Sequence, residues 1–292
     1  MGFTYRLTAL RSVSGVLATL GDLVEDVVIR VDDPVNVASD TAATIVRRRG
    51  GSAANVAETA GRLGHETRFL GQVGGDAIGA ALLSDLAASG VDTSFVRRDG
   101  RTGTIVVLVD PSGERTMLTD RGASSLLDHP TVEWLTGVST LHVPMYSLAR
   151  DPLAATTQTL IEWAHERAIA VSIDVSSVSL IDDVGPERVY ELLVRLSPAV
   201  LFANGEEAAA LGIGGPVADA MTVIKHGAAP AVIHTRDGRC DVPAESVDVH
   251  DTTGAGDAFA AGFLTSGWRS DAQAACRAGH SAAAATLMRP RP

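Results

Sequence analysis

The feature that most constrains this chain is an alternation. Short β-prone runs trade places with helical stretches along most of its length, and one β-rich segment interrupts them. Gly15–Leu20 reads as a buried strand entering Gly21-Asp22, and Val27–Val31 is β-prone. Ser52–Leu63 sets Ala53, Val56, Ala57, Ala60 and Leu63 on one helical face, with Gly64 as its stop. Thr67–Leu70 is a strand, and Asp76–Ala88 a helix built on Ile78, Leu82, Leu83 and Leu86. From Phe95 the rhythm changes. Asp99-Gly100 is a hairpin signal, and Pro111-Ser112-Gly113 a turn between Thr104–Val109 and a strand near Thr116–Thr119. The alternation then returns with strands at Thr140–Val143, Ile169–Asp174 and Ala199–Phe202. Between them, Asp151 caps a helix with Pro152 at its first position, running to about Arg167, and Tyr190–Leu196 belongs to another. Glu206–Leu211 begins a helix. Met221–Lys225, Ala231–Thr235 and Val247–His250 read as strands, with Asp237-Gly238 a turn, and Gly256–Gly267 and Asp271–Leu287 as helices.

Such a chain predicts an α/β fold, a mostly parallel sheet covered by helices on both faces, with ligands at the C-terminal strand ends. At 292 residues it sits near the upper end for one core, so one large domain with an appendage is expected. Hydrophobic residues at 46% exclude disorder, and aromatics at 4% leave the core to Ala, Val and Leu. No apolar run reaches membrane-spanning length, so no membrane partner is expected. The opening MGFTYRLTALRSVSG has two arginines and no apolar centre, unlike a signal peptide.

A net charge of −11 speaks against a nucleic-acid partner, and Arg47–Arg49 and Arg97–Arg98 read as solvated loop charge. Cys240 and Cys276 show no CxxC spacing, which excludes a zinc or disulfide framework and suits a cytoplasmic location. The sole lysine, Lys225, is followed by His226-Gly227, so no GxxxxGK[ST] phosphate loop exists.

Asp251–Asp257 (DTTGAGD) lies between a strand and a helix. The amides of Gly254, Ala255 and Gly256 stand at a positive helix end and make an anion hole suited to a transferring phosphoryl group. Asp257 at its rim has the position of a general base for an incoming hydroxyl. Two other readings fit the same residues: a capping aspartate on a glycine turn, and a dinucleotide loop. In the second, the third glycine of GxGxxG is replaced by Phe259.

Asp251–Phe263 (DTTGAGDAFAAGF) resembles the C-terminal signature of the ribokinase-like (PfkB) carbohydrate kinases. Gly50–Ala57 (GGSAANVA) resembles their N-terminal signature. Gly71–Gly79 (GQVGGDAIG) and Gly90–Thr93 (GVDT) are similar to further family segments in the same order. The resemblance covers nearly the whole chain. It implies a three-layer ribokinase-like fold over residues 1–292 with a small β-sheet lid from about 26–49 and 95–119.

It also implies ATP-dependent transfer to an alcohol group of a small sugar-like substrate, with Asp257 as base and the Gly254, Ala255 and Gly256 amides steadying the transition state. Asp251 matches a residue that helps hold a monovalent cation such as K+, although this sequence ends soon after Met288, where relatives often continue. Asn204-Gly205-Glu206-Glu207 resembles the family's NxxE element, which puts Asn204 near nucleotide phosphates and Glu207 near Mg2+ through water. Gly227 matches an ATP-side loop in which Pro230 replaces a second glycine; Lys225 either approaches the phosphates or solvates a strand end. For the acceptor the resemblance points to Asp26, Gly51 and Asn55. Arg121 either faces the site as a phosphate partner or lies in a surface loop. Ser52 stands where many sugar-binding relatives carry lysine. The lid implies a homodimer. A nucleoside kinase of the same family and a non-catalytic sugar-binding regulator are the alternatives.

Overall fold

The computed structural model describes residues 15–245, 247 and 252–289. Nine strands form the central sheet: β1 (Val16–Leu20), β4 (Thr67–Leu70), β6 (Val91–Asp92), β10 (Val138–Pro144), β11 (Ala170–Asp174), β12 (Val200–Asn204), β13 (Met221–His226), β14 (Ala229–Thr235) and β15 (Gly238–Val242). Their order is β15-β14-β13-β12-β11-β10-β1-β4-β6, parallel from β6 to β13 and antiparallel at β14 and β15. Parallel strands need crossovers, and helices supply them. These are α1 (Ser52–Arg62), α2 (Ala77–Ala88), α3 (Leu153–Glu166), α4 (Val178–Val184), α5 (Pro186–Leu196), α6 (Gly205–Ala210), α7 (Ala255–Leu264) and α8 (Ala272–Leu287).

The strands alternate their side chains between two cores, as the pleat requires. Ala18, Leu141, Ile173 and Leu201 pack with Leu160, Leu193 and Ala208 of α3, α5 and α6. Leu17, Val200, Phe202 and Val223 pack with Val56, Phe259, Phe263 and Cys276 of α1, α7 and α8. With so few aromatics, one edge-to-face group, Phe202 with Phe259 and Phe263, anchors the second core beneath α7.

The β-rich interruption builds a second sheet. Its strands are β2 (Val24–Arg30), β3 (Thr44–Gly50), β8 (Thr102–Val109) and β9 (Arg115–Gly122), in order β3-β2-β8-β9. The pairs are antiparallel except β2 with β8. Asp76 roots this sheet to the body. It caps α2 by accepting from Gly79 N (2.8 Å) and also accepts from Thr102 N and Oγ1 at the start of β8 (2.8 and 2.6 Å). Those donors hold its carboxyl down at about 2.

Several expectations change here. Asp99-Gly100 closes no hairpin: β7 (Arg97–Arg98) pairs with β5 (Gln72–Val73), while β8 pairs with β2. The segment is a hand-over between sheets, and Asp99 N donates to Val73 O (2.9 Å). The true hairpin turn is at 110–114, where the Asp110 carboxylate accepts from Ser112 N and Glu114 N (both 2.9 Å). The cap of α3 falls on Pro152, although Asp151 still accepts from Ala155 N (3.1 Å). Helix α7 starts at Ala255 and ends at Leu264. β3, α4 and β15 were not legible as elements. The strand expected at Val247–His250 and the residue Asp251 lie outside the described residues, apart from Val247 itself. Arg47–Arg49 are not loop charge: they lie on β3, and the Arg49 side chain is only 7% exposed.

Candidate active site

Three neighbouring parallel strands end together, and register decides what they deliver. Asp174 closes β11, Asn204 closes β12, and Lys225 sits beside Asn204 on β13. Lys225 Nζ donates to Asp174 Oδ2 (2.6 Å), with both side chains largely buried. Burial alone would lower the Lys225 pKa, but Asp174, Glu207 and Asp257 together carry it above its ordinary value, so it is a fixed positive charge. Of the two roles open to Lys225, strand-end solvation is therefore not what the structure gives. A Cβ placed on Gly256 would stand 3.2 Å from Lys225 Nζ. The ammonium lies at the positive end of α7, where a second source of positive potential reinforces it.

Helix α7 begins at Gly254, whose left-handed backbone (φ 76°) turns the chain into the helix. The Ala255 amide donates back to Thr252 O (3.2 Å), so that member of the expected anion hole is occupied. The first-turn amides of Gly256 and Asp257 have no acceptor within the helix, as at any helix start. Asp257 follows one turn in. Its Oδ1 accepts from Ser52 Oγ (2.6 Å) and its Oδ2 from Asn55 Nδ2 (2.8 Å), both on the first turn of α1. Burial raises its pKa, against the pull of those two donors. A carboxylate oxygen has two lone pairs, so each keeps a site for an incoming hydroxyl.

The glycine pair preceding α1 has a steric reason. A Cβ on Gly50 would meet Asp26 Oδ1 at 2.1 Å, and one on Gly51 would meet Asp22 O at 2.1 Å at a backbone φ of 105°. Only glycine lets the end of β3 pass between the two aspartates and still start α1. Asp26 is half-buried and faces Arg48 Nε at 3.7 Å. Burial raises its pKa, while Arg48 and Arg49 oppose the rise. Arg49 joins β3 to α1 and α2, donating to Asn55 Oδ1 (3.1 Å) and pairing with Glu58 and Asp85. It thereby fixes the amide that holds Asp257.

On the other side of the strand ends, Asn204 and Glu207 form a complete capping box. Asn204 Oδ1 accepts from Glu207 N (2.8 Å), and Glu207 Oε2 accepts from Asn204 N (2.8 Å). Glu207 Oε1 also accepts from Asn204 Nδ2 (2.9 Å). Burial and the nearby Asp174 push the Glu207 carboxyl up to about 7. Gly227, in the left-handed region at φ 61°, turns the β13–β14 hairpin beside α6. Pro230 falls where that ladder shifts register, a place that tolerates a missing amide donor. Arg121 is paired with the buried Asp22 and lies over Tyr146 (4.6 Å), so its guanidinium steadies the floor beside the cleft.

Sequence reasoning missed Asp22, Ser52, Asp174 and Arg49. Asp174 ends β11 and Asp22 lies two residues past the end of β1, and those positions carried a signal. Ser52 was visible as a departure from lysine. Arg49 had none, because its partners come from 6, 9 and 36 positions away.

A cavity of about 440 Å3 opens between the small sheet and α1. Its walls include Asp26, Arg48, Asn55 and Gly254. Arg115, at the start of β9, donates to Thr253 Oγ1 (2.5 Å), so the far end of the small sheet touches the turn before α7.

The arrangement of a half-buried carboxylate at a helix start, a fixed ammonium and an adjoining cleft is one that phosphoryl transfer needs. The model of the pfkB family carbohydrate kinases matches residues 16–291, and the chain belongs to that family. It is a carbohydrate kinase, an ATP-using phosphotransferase with an alcohol group as acceptor. It is 35% identical to the ATP-dependent ribose-1-phosphate kinase of Halopiger xanaduensis, over 84% of this chain and 82% of that one. Its fold matches the adenosine kinase from Sinorhizobium meliloti (TM-score 0.83, 23% identity, 96% of each chain). It also matches a sugar kinase from Pyrococcus horikoshii solved with ATP (TM-score 0.79, 24% identity, 94% of this chain and 93% of that one).

Proposed function

We propose that Asp257 is the general base of an in-line transfer of the γ-phosphoryl group of ATP to a sugar hydroxyl. The observation that carries this reading is the Asp257 carboxylate, held by Ser52 and Asn55 at the start of α7 with Lys225 beside Gly256. The hydroxyl oxygen forms its bond to phosphorus as the bond from phosphorus to the β,γ-bridging oxygen breaks. Its proton passes to Asp257, and ADP leaves. Lys225 and the first-turn amides of α7 face the charge on the transferring group. Asn204 and Gly227 lie on the nucleotide side. Asp26, Gly51 and Asn55 lie on the acceptor side, where a carboxylate and an amide suit vicinal hydroxyls. Arg121 acts there through Asp22 rather than by touching the acceptor.

Mg2+ fits this site through water. Among the described residues no three His, Cys, Asp or Glu side chains converge to grip a metal directly. Both Glu207 oxygens already accept hydrogen bonds. Glu207 and Asp174 would order the waters of an ion that arrives with the nucleotide and neutralises its phosphates. Asp251 would hold K+, as its place in the DTTGAGD segment suggests.

The small sheet acts as a lid that excludes water. Its outer face carries Ile29, Ile45, Val106, Leu108 and Leu118, with Ile45 58% and Leu118 62% exposed. A largely apolar exposed face of this kind, interrupted by Arg47, suits a second copy of the chain, so a homodimer follows. The two cysteines are unpaired, in keeping with a cytoplasmic enzyme.

The test is acceptor-dependent ADP release with Mg2+, over a panel of pentoses, hexoses, sugar acids, sugar phosphates and nucleosides. Stimulation by a sugar-like acceptor is expected. Binding of an acceptor with no release by any member would favour a sugar-binding regulator.

A further inference from the structure

Asp257 is held by an amide whose two ends have nearly the same shape and opposite chemistry, so something must decide which end faces it. Asn55 donates from Nδ2 to Asp257 Oδ2 (2.8 Å), and its Oδ1 accepts from Arg49 Nη1 (3.1 Å). Turned end for end, the amide would set its oxygen against a carboxylate and its N–H groups against a guanidinium. Neither contact would pair a donor with an acceptor. An anion on one side and a cation on the other therefore leave one orientation. A charged donor on the oxygen also polarises the amide and strengthens the N–H bond offered to Asp257.

Arg49 is placed to do this. It is the second-last residue of β3, six positions before Asn55, and the Gly50-Gly51 turn brings its side chain back across the first turn of α1. Each guanidinium nitrogen has its own partner. Nε donates to Asp85 Oδ2 on α2 (3.2 Å), Nη2 to Glu58 on α1, and Nη1 to Asn55. Glu58 is shared with Arg62 (2.7 Å). Two arginines thus face two carboxylates, and the group is balanced in charge without Asn55. The third arm of Arg49 neutralises nothing. What it fixes is the amide.

We propose that Arg49 is a positioning residue for the base. Acting through Asn55, it sets Oδ2 of the Asp257 carboxylate, while Ser52 sets Oδ1. With all three nitrogens engaged, Arg49 is not offered to the acceptor; the second Nδ2 hydrogen of Asn55 is. The proposal rests on the reading of Asp257 as base. Because β3 belongs to the small sheet, the same link makes the geometry of the base depend on where that sheet sits.

The test is a double-mutant cycle on kcat for ADP release, with the most active sugar of the panel above. Arg49→Met and Arg49→Lys are each made in the wild type and in Asn55→Ala. In the wild type, Arg49→Met should lower kcat by about tenfold to a hundredfold, the worth of one charge-assisted hydrogen bond, with KM for ATP little changed. Arg49→Lys should fall between, since a single nitrogen cannot replace the planar fork. In Asn55→Ala neither substitution should cost further kcat, because the amide they act through is gone. A merely structural role would lower the folded fraction, show in thermal melts and multiply through both backgrounds. Additive losses across the cycle overturn the proposal, as does a wild-type kcat in both Arg49 variants. Apart from turnover, the side-chain amide protons of Asn55 in 15N-labelled protein should shift in Arg49→Met and in Asp257→Asn. An unmoved resonance in Arg49→Met also overturns the proposal. If the resonance moves in both variants while Asp257→Asn still releases ADP, the chain from Arg49 through Asn55 to Asp257 stands and the base reading fails.

Discussion

The two walls of the cleft are built on opposite terms. The floor, formed by the ends of β11, β12 and β13 and the start of α7, gathers Asp174, Glu207, Lys225 and Asp257 in a buried cluster. Charges there are fixed by one another, and Glu207 and Asp257 are pushed toward protonation. The small sheet opposite presents arginines along a half-open face and joins the body through Asp76 at its root and Arg115 at its far end. A buried cluster is preorganised for one reaction, because moving any member strands another charge. A sheet wall held at two ends can change what it recognises by exchanging side chains on one face.

The sharpest way to break the contrast is at the floor. Asp257→Asn keeps both the Ser52 and Asn55 neighbours but has no basic oxygen. We expect turnover to fall by at least 10²–10⁴-fold, with nucleotide binding largely retained by calorimetry. Substantial ADP release in that variant would remove Asp257 from the role of base. Lys225→Met should come next. It leaves Asp174 buried beside Glu207 without a cation, so kcat should fall about 10²–10³-fold and stability by about 3 kcal/mol. An unchanged melting temperature would show that the pair is not buried as described.

The pH dependence has a definite sign. Glu207 keeps its proton to about pH 7, whereas an ordinary glutamate loses it near 4.5. The folded state thus binds this proton more tightly than the unfolded chain. The resulting stabilisation is complete below pH 4.5 and is lost as pH rises through 7. Glu207→Gln should flatten the fall of melting temperature across that window, leaving only what Asp257, whose carboxyl is also raised by burial, contributes. An equally steep fall in the variant would assign the slope elsewhere. The smallest effect on chemistry belongs to the outer face of the small sheet. Leu118→Glu should convert a dimer to a monomer in sedimentation while changing kcat by less than an order of magnitude. A wild-type chain that sediments as a monomer would end the dimer reading.

Much of the floor was legible in the sequence. GAGD and NxxE are local segments whose backbone shape follows from glycine freedom and helix-start chemistry, so Asp257, Asn204 and Glu207 stood out. Lys225 drew notice as the sole lysine, but its role stayed open until β13 was seen to lie beside β12 and bring it to Asp174. The wall was read less well. Arg47–Arg49 looked like solvated charge because nothing in the local sequence tells that Arg48 faces Asp26 across a strand pair. Asp99-Gly100 looked like a hairpin because turn chemistry does not reveal which sheet the next strand joins.

By itself, then, the sequence determined the alternating α/β layout, the glycine-rich helix start and the residue types of the floor, all properties of short windows governed by periodicity, capping and glycine. Only the tertiary structure decided that Ser52 and Asn55 hold Asp257, that Lys225 is locked to Asp174, and that arginines from β2, β3 and the residues after α8 line one cleft. Those contacts join residues up to 205 positions apart. They follow from sheet order and strand register, which depend on how the whole chain packs.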